Sequence, residues 1–94
     1  RMRLELSRKA QADLAEIRDY TAGRFGAEQS IAYLDAIEEA FRRLLAFPMI
    51  GATAVGEDVR AFGCRQHRIY YVGDDERVLV VRVLHKAMDV GRRV

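Results

Sequence analysis

The chain has 94 residues, 50% of them hydrophobic and 32% charged, with a formal net charge of +2. A chain of that length holds one core that buries roughly 60–65% of the unfolded surface, which leaves little material for a deep walled cavity and places function on a face or in a shallow groove. A single cysteine, Cys64, excludes an intrachain disulfide, only His67 and His85 accompany it, so there is no zinc-site spacing, and the longest apolar run, residues 78–81, is far short of the ~20 residues of a membrane span. The expectation is one cytoplasmic domain over residues 1–94, with no metal and no cofactor.

Met2, Leu4 and Leu6 alternate with Arg3 and Glu5, the period of a half-buried strand. Ser7 then stands where an N-cap belongs, and Ala10, Leu14 and Ile17 recur at helical spacing until Gly23, which predicts a first helix over 8–22. After Gly26, Ile31, Leu34, Ile37, Phe41, Leu44 and Leu45 draw the apolar stripe of a second helix over 27–47. Glu38 with Arg42 and Glu39 with Arg43 are acid-before-base pairs that support its outer face. The short connection predicts an antiparallel helix hairpin with Phe25 plugging its corner.

Phe47-Pro48 ends the second helix, and residues 49–56 read as an irregular connection. Residues 59–62, 64–72 and 78–85 are β-rich, with a hairpin turn over 73–76. The run 78–84 is apolar on both faces except at Arg82, so it is expected to be the central strand. These elements give a β-α-α-β-β-β order. The class is α+β, with the helix hairpin packed on a mainly antiparallel four-stranded sheet.

Charge is unevenly placed. Residues 1–47 carry eight basic and eight acidic side chains, whereas residues 60–94 carry eight basic and four acidic, three of the latter in Asp74-Asp75-Glu76. The last third is therefore basic outside one turn, compatible with an anionic partner or with ordinary solvated strand faces.

Leu6-Ser7-Arg8-Lys9-Ala10, Asp13-Leu14 with Ile17, the Phe25-Gly26 corner, Pro48 with Gly51, Arg60, Arg68-Ile69-Tyr70-Tyr71, and Arg82-Val83-Leu84-His85 with Met88-Asp89 follow one another across nearly the whole chain. Each piece is short, but their joint order and spacing resembles the ParE branch of the ParE/RelE toxin superfamily. The resemblance implies a RelE-like fold and the toxin of a type II toxin-antitoxin pair. It also implies a ParD-like antitoxin as partner and DNA gyrase as target, stalled on cleaved DNA so that replication stops.

The RelE branch implies an alternative, a ribosome-dependent messenger RNA endonuclease. Such chemistry needs a base, an acid and cations for the phosphate charge, for which Arg68, Arg82, His67, His85 and Tyr70 or Tyr71 are the candidates. Alternation sends Arg82 and His85 to opposite faces of their strand, which counts against a compact catalytic set. We expect no catalytic residues and a function of binding. His85 reads as a hydrogen-bonded strand-end residue, Cys64 as an inert packing residue, and one of Tyr70 and Tyr71 as core with the other on the surface.

Arg82 is costly to bury among valines and leucines unless its donors are matched. A structural partner such as Asp89 and a partner-binding groove both remain open for it. The expected contact surface comprises Arg68, Tyr70, Arg82, His85, Lys86, Met88, Arg92 and Arg93, where the basic tail leaves the central strand. No sequence-specific nucleic-acid binding is expected.

Overall fold

The computed structural model describes residues 2–56 and 58–88. Its elements are β1 (Arg3–Leu6), α1 (Arg8–Phe25), α2 (Ala27–Ala46), β2 (Ala52–Val55), β3 (Val59–Cys64), β4 (His67–Gly73) and β5 (Arg77–His85). Among the described residues the strands form one five-stranded sheet in the order β1-β5-β4-β3-β2. β1 runs parallel to β5, and every other pairing is antiparallel. The α+β class and the helix hairpin are as the sequence predicts; β5, expected to be the central strand, is interior but lies next to edge strand β1, and β4 holds the middle. The sheet has one strand more than expected, because part of the connection after α2 pairs with β3 as an outer strand, Ala52 opposite Ala61 and Thr53 opposite Arg60.

Ser7 joins sequence-local and long-range structure. Its Oγ accepts from the Ala10 amide at 3.0 Å, capping α1, and donates to the Val81 carbonyl at 2.7 Å, fixing the helix start to β5. α1 continues past Gly23 to Phe25, and Gly26, at φ 96, is the single residue that breaks the helices apart. That left-handed φ favours glycine.

Two expectations about the hairpin fail. Phe25 is 62% exposed and does not fill the corner, and Ile31 is equally exposed. The helices meet through Ser30, which is buried and donates to the Arg18 carbonyl at 2.8 Å. A small residue lets the two backbones approach, and Ile31, about 100° further round α2, is thereby turned to solvent. Ile37, Ala40, Phe41 and Leu44 carry the buried face, against Ile69, Tyr71, Val78, Val80 and Val83 of the sheet.

The sheet also departs from a simple meander. Arg65, at φ 56, makes a tight turn between Cys64 and His67, which pair directly. In β5, Arg82 lies opposite Tyr70 and Val80 lies opposite Tyr71, so Val81 is an unpaired extra residue, a β-bulge. Val78 and Val80 precede it on the helix side; Val83 and His85 follow on that same side, and Arg82 and Leu84 face the other way. Without the bulge Arg82 would project into the core beside Val80.

Both tyrosines are buried, contrary to the expectation of one on the surface. Tyr71 belongs to the core under the helices, whereas Tyr70, only 4% exposed, faces the other side of the sheet. The Tyr71 hydroxyl donates to the Pro48 carbonyl at 2.8 Å and accepts from the Gly51 amide at 2.9 Å, which seats the chain leaving α2. Gly51 is required there, since a Cβ would lie 2.8 Å from both the Ala61 carbonyl and the Tyr71 hydroxyl.

Candidate functional site

β1 ends at Leu6, so the second half of β5 has no strand on that side, and α1 takes its place. Asp13 of α1 accepts from Nε and Nη2 of Arg82, each at 2.8 Å, and from the Val83 amide at 2.9 Å. Both side chains are nearly buried, at 13% and 16% exposure. Hydrogen bonding to Asp13 raises the Arg82 pKa above its ordinary value, with burial opposing. The partner of Arg82 seen here is thus Asp13; Asp89 lies outside the described residues.

Beside this pair a groove opens between α1 and the end of β5, lined by Glu16, Tyr20, His67, His85 and Met88 among others. His67 and His85 are direct cross-strand partners whose rings meet edge to face, with centroids 5.4 Å apart. Nδ1 of His67 is 2.6 Å from the Tyr33 hydroxyl of α2, and that hydroxyl accepts from the Gln66 amide at 3.0 Å. Burial, and next the neighbouring His85, hold His67 below the ordinary imidazole pKa, with Asp13 pulling the other way. Nδ1 of His85 accepts from the Ala87 amide at 3.1 Å. Tyr33 escaped the sequence reading because it lies 34 residues from His67 and beside the apolar stripe.

The remaining expected contact residues divide by position. Arg68 is exposed on the face opposite the histidines and donates to the Lys86 carbonyl at 3.3 Å. Lys86 and Met88 are exposed just beyond β5, with the Lys86 side chain lying over Gly63. Tyr70 and Arg82 sit behind this surface, and Arg92 and Arg93 lie outside the described residues. Arg60, expected to be solvated, donates to the Gly51 carbonyl at 2.7 Å. Burial raises the Cys64 thiol pKa, opposed by Arg65 and Lys86.

A second, mainly apolar groove runs between β1 and the helix hairpin, lined by Leu4, Leu6, Leu14, Leu34, Phe41 and Leu45, with Glu38 and Arg42 also on its wall. Among the described residues no group of three or more His, Cys, Asp or Glu side chains is placed to hold a metal. No described helix is long and apolar enough to cross a membrane.

The described residues thus form a small α+β domain, a helix hairpin on a mixed sheet, with an open groove beside β1 and a polar surface at the end of β5. The family comparison gives it a place: the model for the ParE toxin of type II toxin-antitoxin system, parDE, matches residues 4–90, and the chain belongs to that family. Toxin ParE1 of Mycobacterium tuberculosis is 38% identical over 92 residues, covering 95% of this chain and 94% of that protein. Toxin ParE1 of Caulobacter vibrioides is 36% identical over 90 residues, covering 89% and 88%. Toxin ParE of Escherichia coli is 32% identical over 92 residues, covering 95% and 89%. The solved structure of the chromosomal ParDE TA system from P. aeruginosa superposes with a TM-score of 0.78 over 89% of this chain and 95% of that chain, at 23% identity, a likeness of fold.

Proposed function

We propose that this ParE-family toxin inhibits DNA gyrase in the cytoplasm, blocks replication, and is silenced by a ParD-like antitoxin. It acts by binding, as one domain, without cutting nucleic acid. The observation that carries this reading is how the candidate catalytic groups are already engaged. The Arg82 fork is taken by Asp13, and the two histidine rings touch, leaving no room for a phosphodiester between them. The apolar groove beside β1 suits an amphipathic antitoxin helix, and the outer edge of β2 suits an added strand. Arg68, His85, Lys86 and Met88, with Arg92 and Arg93, supply a contact surface that Tyr70 and Arg82 support from behind.

The test is a pair of assays on the purified chain. One measures accumulation of gyrase-bound cleaved plasmid, and the other measures cleavage of ribosome-bound messenger RNA. Gyrase-bound breaks that disappear when the cognate antitoxin is added are expected. Messenger RNA cleavage with gyrase unaffected would overturn the proposal and favour the endonuclease.

A further inference from the structure

Tyr33, His67 and His85 form a row from α2 across β4 to the end of β5. Proton positions along it follow from the partners. The Tyr33 oxygen accepts from the Gln66 amide, and with Nδ1 of His67 unprotonated its own proton is donated there. Nδ1 of His85 accepts from the Ala87 amide and must be unprotonated as well. A proton on His85 would set N–H against N–H, and a proton on His67 would make the Tyr33 oxygen accept twice and leave its hydroxyl proton without that acceptor.

We infer that the Tyr33–His67–His85 row is an acid-operated latch. With both imidazoles neutral it ties α2 to the β3–β4 turn through Tyr33 and holds residues 86–88 against the end of β5; protonation releases both ties. The rings are in contact, so a charge on one opposes a charge on the other, and the two protons are taken up in separate steps, the first of which begins the release.

The charged and titratable groups around the row set its balance. From α1, Asp13 and Glu16 face it, with Tyr20 at the rim; Asp13 is engaged by Arg82, and Glu16 is the carboxylate on the exposed side of the groove. From β3 and its turn come Cys64 and Arg65, and beyond β5 comes Lys86. For His67, burial and the neighbouring His85 favour the neutral ring, and Asp13 favours its protonation. The latch does not rest on the proposed function, since it concerns contacts within the chain and its test uses no partner.

The experiment follows the Gln66 and Ala87 amides of the full chain by NMR from about pH 7.5 to about pH 5, beside the imidazole signals of His67 and His85. Release linked to one proton predicts that exchange protection, corrected for intrinsic rate, falls about tenfold per pH unit below the ordinary imidazole value. In His67→Asn/His85→Asn, whose amide oxygens accept at the Nδ1 positions and do not titrate, protection is expected to stay level. Protection that persists in the unmodified chain down to the acid limit overturns the latch, as does loss in the double variant that runs parallel to the unmodified chain. If the double variant does not fold, the midpoint decides: loss that tracks either imidazole titration supports the latch, and loss at a pH where neither ring titrates overturns it.

Discussion

Asp13 and Arg82, 69 residues apart in sequence, meet through two hydrogen bonds of 2.8 Å, and the same carboxylate also takes the Val83 amide. One side chain on α1 therefore replaces the strand that β5 lacks beyond β1 and neutralises the charge in that strand. Asp13→Ala would leave a nearly buried guanidinium and an amide without this acceptor, and is expected to lower stability by about 3 kcal/mol. Urea unfolding reads this directly. Arg42→Ala, on the exposed face of α2, should leave the midpoint unchanged.

Tyr71→Phe keeps the ring in the core but removes the hydroxyl between Pro48 and Gly51. An expected loss of about 1–3 kcal/mol follows from the buried amide left without a partner. Gly51→Ala should cost a comparable amount by overpacking against Ala61 and Tyr71. Thermal and urea unfolding of the two variants measure both, and a neutral Gly51→Ala would show that this connection can move away from the sheet.

Along α2, two isoleucines should respond very differently. Ile37, 1% exposed, is expected to cost about 3 kcal/mol on change to alanine. Ile31→Ala should stay within about 0.5 kcal/mol, since its side chain stands in solvent. The comparison checks the placement of Ser30 at the hairpin contact.

Stability should fall on mild acidification through His67. Its folded-state pKa is lowered from 6.5, so the unfolded chain binds that proton more readily. The contribution is fully present above 6.5 and is lost as pH falls from there through the folded value. His67→Asn should flatten this part of the stability–pH curve in denaturant titrations. A curve unchanged in shape would place the titrating group elsewhere.

The proposed contact surface predicts a contrast in antitoxin binding. Arg68→Glu and Lys86→Glu should slow association with a ParD-like antitoxin on the order of tenfold at low salt, and Arg18→Glu, on the exposed face of α1, much less. Surface plasmon resonance at two salt concentrations separates this steering effect from lost packing. Equal rates for the three variants would move the contact surface away from the end of β5.

Much of the fold was legible because its signals are local. The alternation of Met2, Leu4 and Leu6, the cap at Ser7, the stripe ending at Leu45 and the acidic turn at Asp74 each show within a few residues. β2 was not legible, since Ala52-Thr53-Ala54 carries no alternation and its pairing depends on β3 being beside it. The turn at Arg65-Gln66 lacks glycine, asparagine or proline, and the left-handed φ of Arg65 is imposed by the strands on either side. At the site, the need for a partner to Arg82 could be argued from its neighbours in sequence. That the partner is Asp13 depends on α1 lying along β5, which no local spacing encodes. The Tyr33–His67 contact was hidden for the same reason.

The extra residue at Val81 changes how β5 tolerates mutation. Even-numbered positions before it and odd-numbered positions after it share the helix side, so the strand has two phases joined at one point. Deleting Val81 would set Arg82 directly after Val80 and still opposite Tyr70, so Arg82, Val83 and His85 keep their faces, and the loss is the Val81 carbonyl that accepts from Ser7. Exchanging Val81 for another β-branched residue should disturb little, because the tie at this position is its backbone carbonyl to Ser7. Side-chain identity at position 81 is thus loosely constrained, and a deletion at this point costs the carbonyl tie to Ser7 without changing the phase of the strand, a distinction that substitution scanning alone would miss and a deletion scan along β5 would expose.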